Sequence, residues 1–276
     1  MQHAAALNKR SGGNIVSVCW NNRALIGRLA RREIEGRYRG SMFGLLWAVF
    51  TPILMVCTYA FVFTYIFRPR WEVQEGVEAN FVLLLYSGFL IYGVFAETVG
   101  RAPGLIMENV SYVKKVVFPL EILPVVTLMS ALINLCIGTV ILLILYTVMY
   151  GLPGPLALLL PFTILPVVLF SVGLSWILSA LGVYLRDLGH VVMVLVQMLM
   201  FLSPIFFPIT AIPEQVRPIL KASPLTPALE ASKDVLFWRT MPDLIPFGIA
   251  VAVSAIIAVI GFEVFKWLRS GFADVV

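Results

Sequence analysis

The chain has 276 residues, 60% of them hydrophobic and 13% charged, with a mean hydropathy of +0.95. Soluble globular domains carry about a quarter of their residues as charges, so a water-soluble fold is excluded and an integral membrane protein is left. The net charge of +5 reads as a mark of the cytoplasmic side, where membrane proteins gather their basic residues, rather than of nucleic-acid binding.

Residues 1–43 form a polar, basic N-terminal segment without the apolar core and small-residue site of a cleavable signal. Within it Ile15, Val18, Leu25, Ile26 and Leu29 recur at helical spacing against Arg28, Arg31 and Arg32. That pattern suits an amphipathic helix lying in the membrane interface. A basic anchor that only sets topology is the alternative reading.

A helix needs about 20 apolar residues to cross the hydrocarbon core. Six segments reach that length: Gly44–Phe67, Asn80–Gly100, Ile122–Tyr150, Pro155–Tyr184, Gly189–Phe207 and Leu244–Lys266. The fold expected is therefore all-α, with a six-span domain over 44–270 and a tail at 271–276. Pro161 and Pro166 interrupt the fourth span, which membrane helices tolerate when neighbours satisfy the freed carbonyls.

Lys and Arg set the orientation. Fourteen lie before span 1, between spans 2 and 3, between spans 4 and 5, and after span 6; the other side holds six. The bias places both termini in the cytoplasm.

Between spans 2 and 3, Pro103 can open a short helix. Leu105, Ile106, Asn109, Tyr112, Val113 and Val116 fall near one face, with Glu108, Ser111, Lys114 and Lys115 largely on another. Such an apolar face in a cytoplasmic loop needs the membrane surface or a soluble partner to cover it. Between spans 5 and 6 the prolines at 204, 208, 213, 218, 224, 227 and 242 alternate with apolar residues. A broken helical segment re-entering the outer leaflet fits that composition.

Catalytic and ion-coupling chemistry is missing. Glu97 is four residues from Arg101, Glu121 opens span 3, and Glu263 is three residues from Lys266. Each reads as an interfacial or locally paired group, so an ion-driven carrier is disfavoured. The chain has no P-loop for ATP. Its aspartates are isolated, and His3 and His190 lie far apart. Cys19, Cys57 and Cys136 are odd in number and without paired spacing, which argues against a disulfide framework or a zinc site. A permease powered by a separate ATPase chain is the economical reading.

The run Arg32-Glu33-Ile34-Glu35-Gly36-Arg37-Tyr38-Arg39-Gly40-Ser41, with Gly44-Leu45-Leu46-Trp47 and Thr51-Pro52, resembles the approach to span 1 in polysaccharide-export ABC permeases. These type-2, Wzm-like permeases move O-antigen, capsule or teichoic acid. Asn109–Lys115 with Phe118–Pro124 is similar to their cytoplasmic coupling segment. Arg186-Asp187-Leu188, Leu202–Pro208 and the terminal Phe272–Val276 also match, in order along nearly the whole chain. Members often carry Asn-Pro in the outer segment where this chain has Ser223-Pro224.

The resemblance implies a homodimer with two copies of a nucleotide-binding ATPase, a lipid-linked polysaccharide as substrate and a bacterial inner-membrane location. ATP and Mg would be bound by the partner, with no cofactor in this chain. It implies that the Pro103–Phe118 segment docks on the ATPase through Asn109, Tyr112, Val113, Lys114 and Lys115, and that the Arg23–Tyr38 helix acts as a gate. There Arg28, Arg31 and Arg32 could meet the diphosphate of the lipid carrier. Spans 1 and 5 line a glycan channel in the family, and Tyr59, Phe63, Phe67, Phe201 and Phe206 are the aromatic candidates for that lining. By spacing alone these rings could equally face lipid or pack between helices. An exporter of drugs or lipids, a membrane-embedded glycan or lipid enzyme, and a structural scaffold are the alternatives.

Overall fold

The computed structural model describes residues 14–62, 81–113, 118–209 and 212–275. Among the described residues all regular structure is helical, as long apolar runs demand where no water can satisfy the backbone. Among the described residues four helical stretches are long and apolar enough to cross a membrane: Phe81–Gly104, Leu120–Tyr150, Pro155–Tyr184 and Leu244–Arg269. Two shorter apolar helices join them, Trp47–Phe61 and Leu188–Leu202. Residues 63–80, into which the first expected span runs, lie outside the described residues.

The helices are α1 (Ile15–Asn21), α2 (Arg23–Tyr38), α3 (Trp47–Phe61), α4 (Phe81–Arg101) and α5 (Leu123–Tyr150), followed by α6 (Leu165–Tyr184) and α7 (Leu188–Leu202). After these come α8 (Arg217–Lys221), α9 (Leu225–Lys233) and α10 (Leu244–Arg269). Gly151, at φ +78°, ends α5 in a conformation that favours glycine. Asp243 caps α10 by accepting a hydrogen bond from the Ile245 amide at 3.3 Å. The prolines of the expected fourth span divide it at Ile164. Pro161 and Pro166 each sit in the first turn of their own piece, where the missing N–H costs nothing.

Contacts along the bundle fix the direction of each helix. The Tyr86 hydroxyl donates to the Gly138 carbonyl, and Asn134 Nδ2 donates to Glu97 Oε2 at 3.0 Å, so α4 and α5 are antiparallel. Phe95 stacks on Phe170 at 5.7 Å and Pro103 abuts Gly182, which makes α4 and α6 parallel. Tyr92 bonds the Val196 carbonyl while Pro103 meets Gly189, so α7 runs against α4. Trp176 packs on Phe262 at 5.2 Å and the Tyr184 hydroxyl reaches the Leu268 carbonyl, so α6 and α10 are parallel.

Small residues set the tightest of these contacts. A Cβ on Gly173 would lie 2.8 Å from the Ala258 backbone, and one on Gly261 would lie 2.2 Å from the Gly173 carbonyl oxygen. This is the close helix approach that small residues allow in membranes. Past α7 the chain does not run free in solvent. Helix α9 and the π-turn Asp234–Trp238 are buried from Leu225 to Phe237 over most of their length, packed against α4, α6 and α10.

Candidate functional site

At the end of the bundle where α4 finishes, α2 is fastened to the spans. Ile26 and Ala30 are buried against Ile122 and Val126, so protein covers the apolar stripe of α2. On its flank, Arg37 donates to Glu97 at 2.5 Å and to Ser130 Oγ at 3.0 Å. Arg101 bonds Glu33, and Arg37 lies 3.6 Å from that same carboxylate. These four charges and Gly36 line an open cavity of 550 Å³.

Of the two readings of Glu97, interfacial or locally paired, local pairing does not hold: its partner is Arg37 on another helix, not Arg101 one turn away. Glu121 likewise finds Arg269 at the end of α10. Glu263 does pair locally, with Lys266 at 2.7 Å. A buried carboxylate needs a cation, and the packing of α2 and α10 against the spans supplies nearer ones than the same helix can.

The three α2 arginines singled out from the sequence are all exposed but differ in surroundings. Arg31 pairs with Glu35 at 2.7 Å. Arg32 Nη2 donates to the Tyr112 hydroxyl at 2.6 Å, with its guanidinium 5.9 Å from that ring. Arg28 lies one helical turn before Arg32.

Residues 102–113 form three consecutive short turns: 3-10 turns at Ala102–Gly104 and Met107–Asn109, then one α-turn at Val110–Val113. Leu105 and Ile106 are buried, and Tyr112 and Val113 pack half-buried against the core. Tyr112 also stacks on Phe118 at 4.3 Å. Asn109 Nδ2 donates to the Leu105 carbonyl at 2.9 Å. Protein thus covers much of the apolar face expected to need a partner, and Met107, Glu108 and Ser111 are the side chains turned outward. Lys114 and Lys115 lie outside the described residues.

Backbone contact holds this segment rigidly. A Cβ on Gly182 would lie 2.0 Å from the Pro103 carbonyl oxygen, so α6 and the segment touch through their main chains. Trp176 Nε1 donates to the Glu121 carbonyl at 2.9 Å, and Arg269 Nη2 reaches the Phe118 carbonyl at 3.4 Å.

The aromatic candidates come together through a ring the sequence did not mark. Tyr59 of α3 stacks on Phe89 of α4 at 4.8 Å, and Phe89 meets Phe206 edge-on at 5.4 Å. Phe206 in turn stacks on Phe201 at 5.4 Å. Four rings from three chain segments therefore make one continuous strip, ending at Phe201, which is 62% exposed. Phe63 and Phe67 lie outside the described residues. Nothing in the pattern of α4 flags Phe89, which sits in an apolar run. Glu33 and Arg37 stand out in the sequence only as members of the run Arg32–Ser41, with no pairing marked.

Residues 24–237 match the family model described as ABC-2 type transporter. The chain is 28% identical over 262 residues to the O-antigen export system permease protein RfbA of Myxococcus xanthus, covering 94% of this chain and 98% of that relative. It is 26% identical over 250 residues to the permease protein of the same name from Klebsiella pneumoniae, covering 90% of this chain and 93% of the relative. The polysialic acid transport protein KpsM of Escherichia coli is 25% identical over 223 residues, covering 80% of this chain and 82% of its own.

Proposed function

The chain belongs to the ABC-2 type transporter family, and from that membership we propose that it is the channel-forming subunit of an ATP-driven exporter of a lipid-linked polysaccharide, O-antigen foremost. The observation that carries this reading is the likeness to O-antigen export permeases over almost the full length of both chains. Two copies of the chain would form the channel in the bacterial inner membrane. Two ATPase subunits would bind ATP and Mg and supply the energy.

The alternating helix directions support six crossings with both termini on the cytoplasmic face. Since α6 and α10 are parallel, the chain must recross between them, and α7 runs in the required direction. Its 15 residues span about 22 Å at 1.5 Å per residue. The stretch from Ser203 to Ile209 lies beyond its end. Helix α9 is then the outer re-entrant segment, held among the spans rather than crossing them.

Residues 102–113 are the part that answers the ATPase. Met107, Glu108 and Ser111 face outward, while Pro103 and Tyr112 bind the segment to α6 and α2. A push on the segment would therefore move α6 and α2 together. Arg28, Arg31 and Arg32 of α2 would meet the carrier diphosphate, guanidinium being well suited to phosphate. The strip Tyr59–Phe89–Phe206–Phe201 offers rings on which the apolar faces of successive sugars can stack without any one hydroxyl pattern being required.

The test is purification of the tagged chain from its native membrane in mild detergent, with mass spectrometry of what stays bound. A P-loop ATPase in equal amount, lost when Met107 and Ser111 are both changed to Asp, is the expected result. Absence of any ATPase in every detergent tried would overturn the proposal.

A further inference from the structure

A second cavity, remote from residues 102–113, has walls of a different chemistry. Leu90 and Ile91 of α4, Leu135 and Val140 of α5, and Leu160 and Ile164 at the break before α6 enclose 270 Å³. The break itself shapes the space. The α-turn Leu160–Thr163 and α6 are separate pieces, each with a proline in its first turn, so the wall is offset at Ile164.

Four hydroxyls border the crevice, and three of them are already engaged by their own helices. Ser87 donates to Leu84 at 2.7 Å, Thr163 to Leu160 at 2.8 Å and Ser232 to Leu229 at 2.8 Å. A sugar or a phosphate would therefore find little there to bond. Polar ligands placed in such a site lose their water without compensation.

The mouth opens beside Cys136 and Val140, both exposed and both near the middle of α5, a membrane-crossing helix. At that depth hydrocarbon, not water, is the medium. An empty space of this size would leave its walls without dispersion partners. Its volume matches about nine water-sized groups, and a methylene is of comparable size.

We infer that the crevice between α4, α5 and the break before α6 holds the acyl tail of a membrane phospholipid. The tail enters past Cys136 and ends against Ser232, at the C-terminal turn of α9. The lipid then fills the joint between the spans and the buried α9, a role separate from that of the exported substrate.

The test uses the permease–ATPase complex in vesicles of phosphatidylethanolamine and phosphatidylglycerol. One arm contains a trace of phosphatidylethanolamine with a diazirine near the end of its tail. A second arm contains polyprenyl phosphate carrying the same group. After irradiation, phospholipid label is expected on the peptides spanning 135–142 and 160–164. Cys136→Trp, which fills the mouth, should lower that label several-fold, and Val140→Phe serves in its place if the first variant does not assemble. Val148→Trp, farther along α5 and also exposed, should leave it unchanged. Label that persists in both crevice variants overturns the inference, as does label from polyprenyl phosphate alone. Loss of the homodimer in the Trp variant with phospholipid label retained would assign the crevice to the second copy and equally overturn it.

Discussion

The Arg32 guanidinium donates to the Tyr112 hydroxyl at 2.6 Å across 80 residues of sequence, joining α2 to residues 102–113 by a side-chain bond. Each partner has a second hold: Tyr112 on the Phe118 ring, and Arg32 on the helix whose apolar stripe lies against α5. The bond is exposed, so its contribution to stability is small. Under the proposed function its role would be to transmit movement from one segment to the other.

Tyr112→Phe therefore separates mechanics from folding. The ring still stacks on Phe118, and the acceptor for Arg32 is lost. Thermal stability should change by less than about 1 kcal/mol, and the ATPase should remain bound. The ratio of glycan exported to ATP hydrolysed should fall. Reconstituted vesicles give both quantities, and an unchanged ratio would show that the bond transmits nothing.

Gly182→Ala tests the rigid contact beside it. The new methyl would lie 2.0 Å from the Pro103 carbonyl oxygen, and backbone has little room to yield. Overpacking of this kind costs about 1–3 kcal/mol. Gly93→Ala in α4, where nothing lies within 4 Å of the added Cβ, should instead be neutral or gain about 0.5–1 kcal/mol from the lower helix cost of alanine. Melting of the two variants in the same detergent compares them directly.

The ionic cluster on α2 and α4 allows a double-mutant cycle. Glu97→Ala leaves Arg37 facing Ser130 and Glu33 without its nearest anion. Because both side chains keep some exposure, the expected loss is about 1–3 kcal/mol rather than that of a fully buried pair. Removing Arg37 as well should recover part of the loss. The coupling is measured from the four melting curves.

This cluster also shows where the sequence was legible and where it was not. Spacing set Glu97 beside Arg101 on one helix, while Glu33 and Arg37 fell on another with no partner assigned to them. The two closest pairs, Arg37 with Glu97 and Arg101 with Glu33, cross between helices, because the packing of Ile26 and Ala30 on α5 sets the angle at which α2 meets α4, and that angle is a property of packed cores. The long spans were readable because bilayer thickness acts directly on chain length. The apolar face of 102–113 was readable as a face, but its cover was not. Leu105 and Ile106 are buried by segments distant in sequence. Phe89 was invisible for the opposite reason: in a span where almost every residue is apolar, an aromatic ring carries no contrast.

Lys233, in the outer segment beyond α7, gives a pH dependence. Its ammonium donates to the Pro204 carbonyl at 2.6 Å, and burial pushes its pKa down to about 8 from 10.5 despite the nearby carboxylates of Glu230 and Asp234. Below about pH 8 folded and unfolded chains both hold the proton, and the cost of the buried charge is constant. Between about pH 8 and 10.5 the unfolded chain binds more protons, so this residue's contribution to stability should rise with pH. Lys233→Met removes that slope. Thermal midpoints of wild type and variant across that interval give the comparison.

The aromatic strip yields the most direct test of substrate chemistry. Phe201 is 62% exposed and, among the described residues, meets the strip through Phe206, so Phe201→Ala should alter stability by no more than about 0.5 kcal/mol. Phe89 is held between Tyr59 and Phe206, and Phe89→Ala gives up two ring contacts worth about 0.5–1.5 kcal/mol each. If the strip carries sugars, both changes should slow export of the glycan while ATPase binding survives. Phe201→Trp should retain export and Phe201→Leu should lose it, because leucine keeps the bulk but not the flat face. Surface polysaccharide in cells relying on each variant supplies the readout, normalised to permease in the membrane. Equal export by the Leu and Trp variants would mean that Phe201 serves packing or lipid contact, and the stacking role would pass to the other rings or fail.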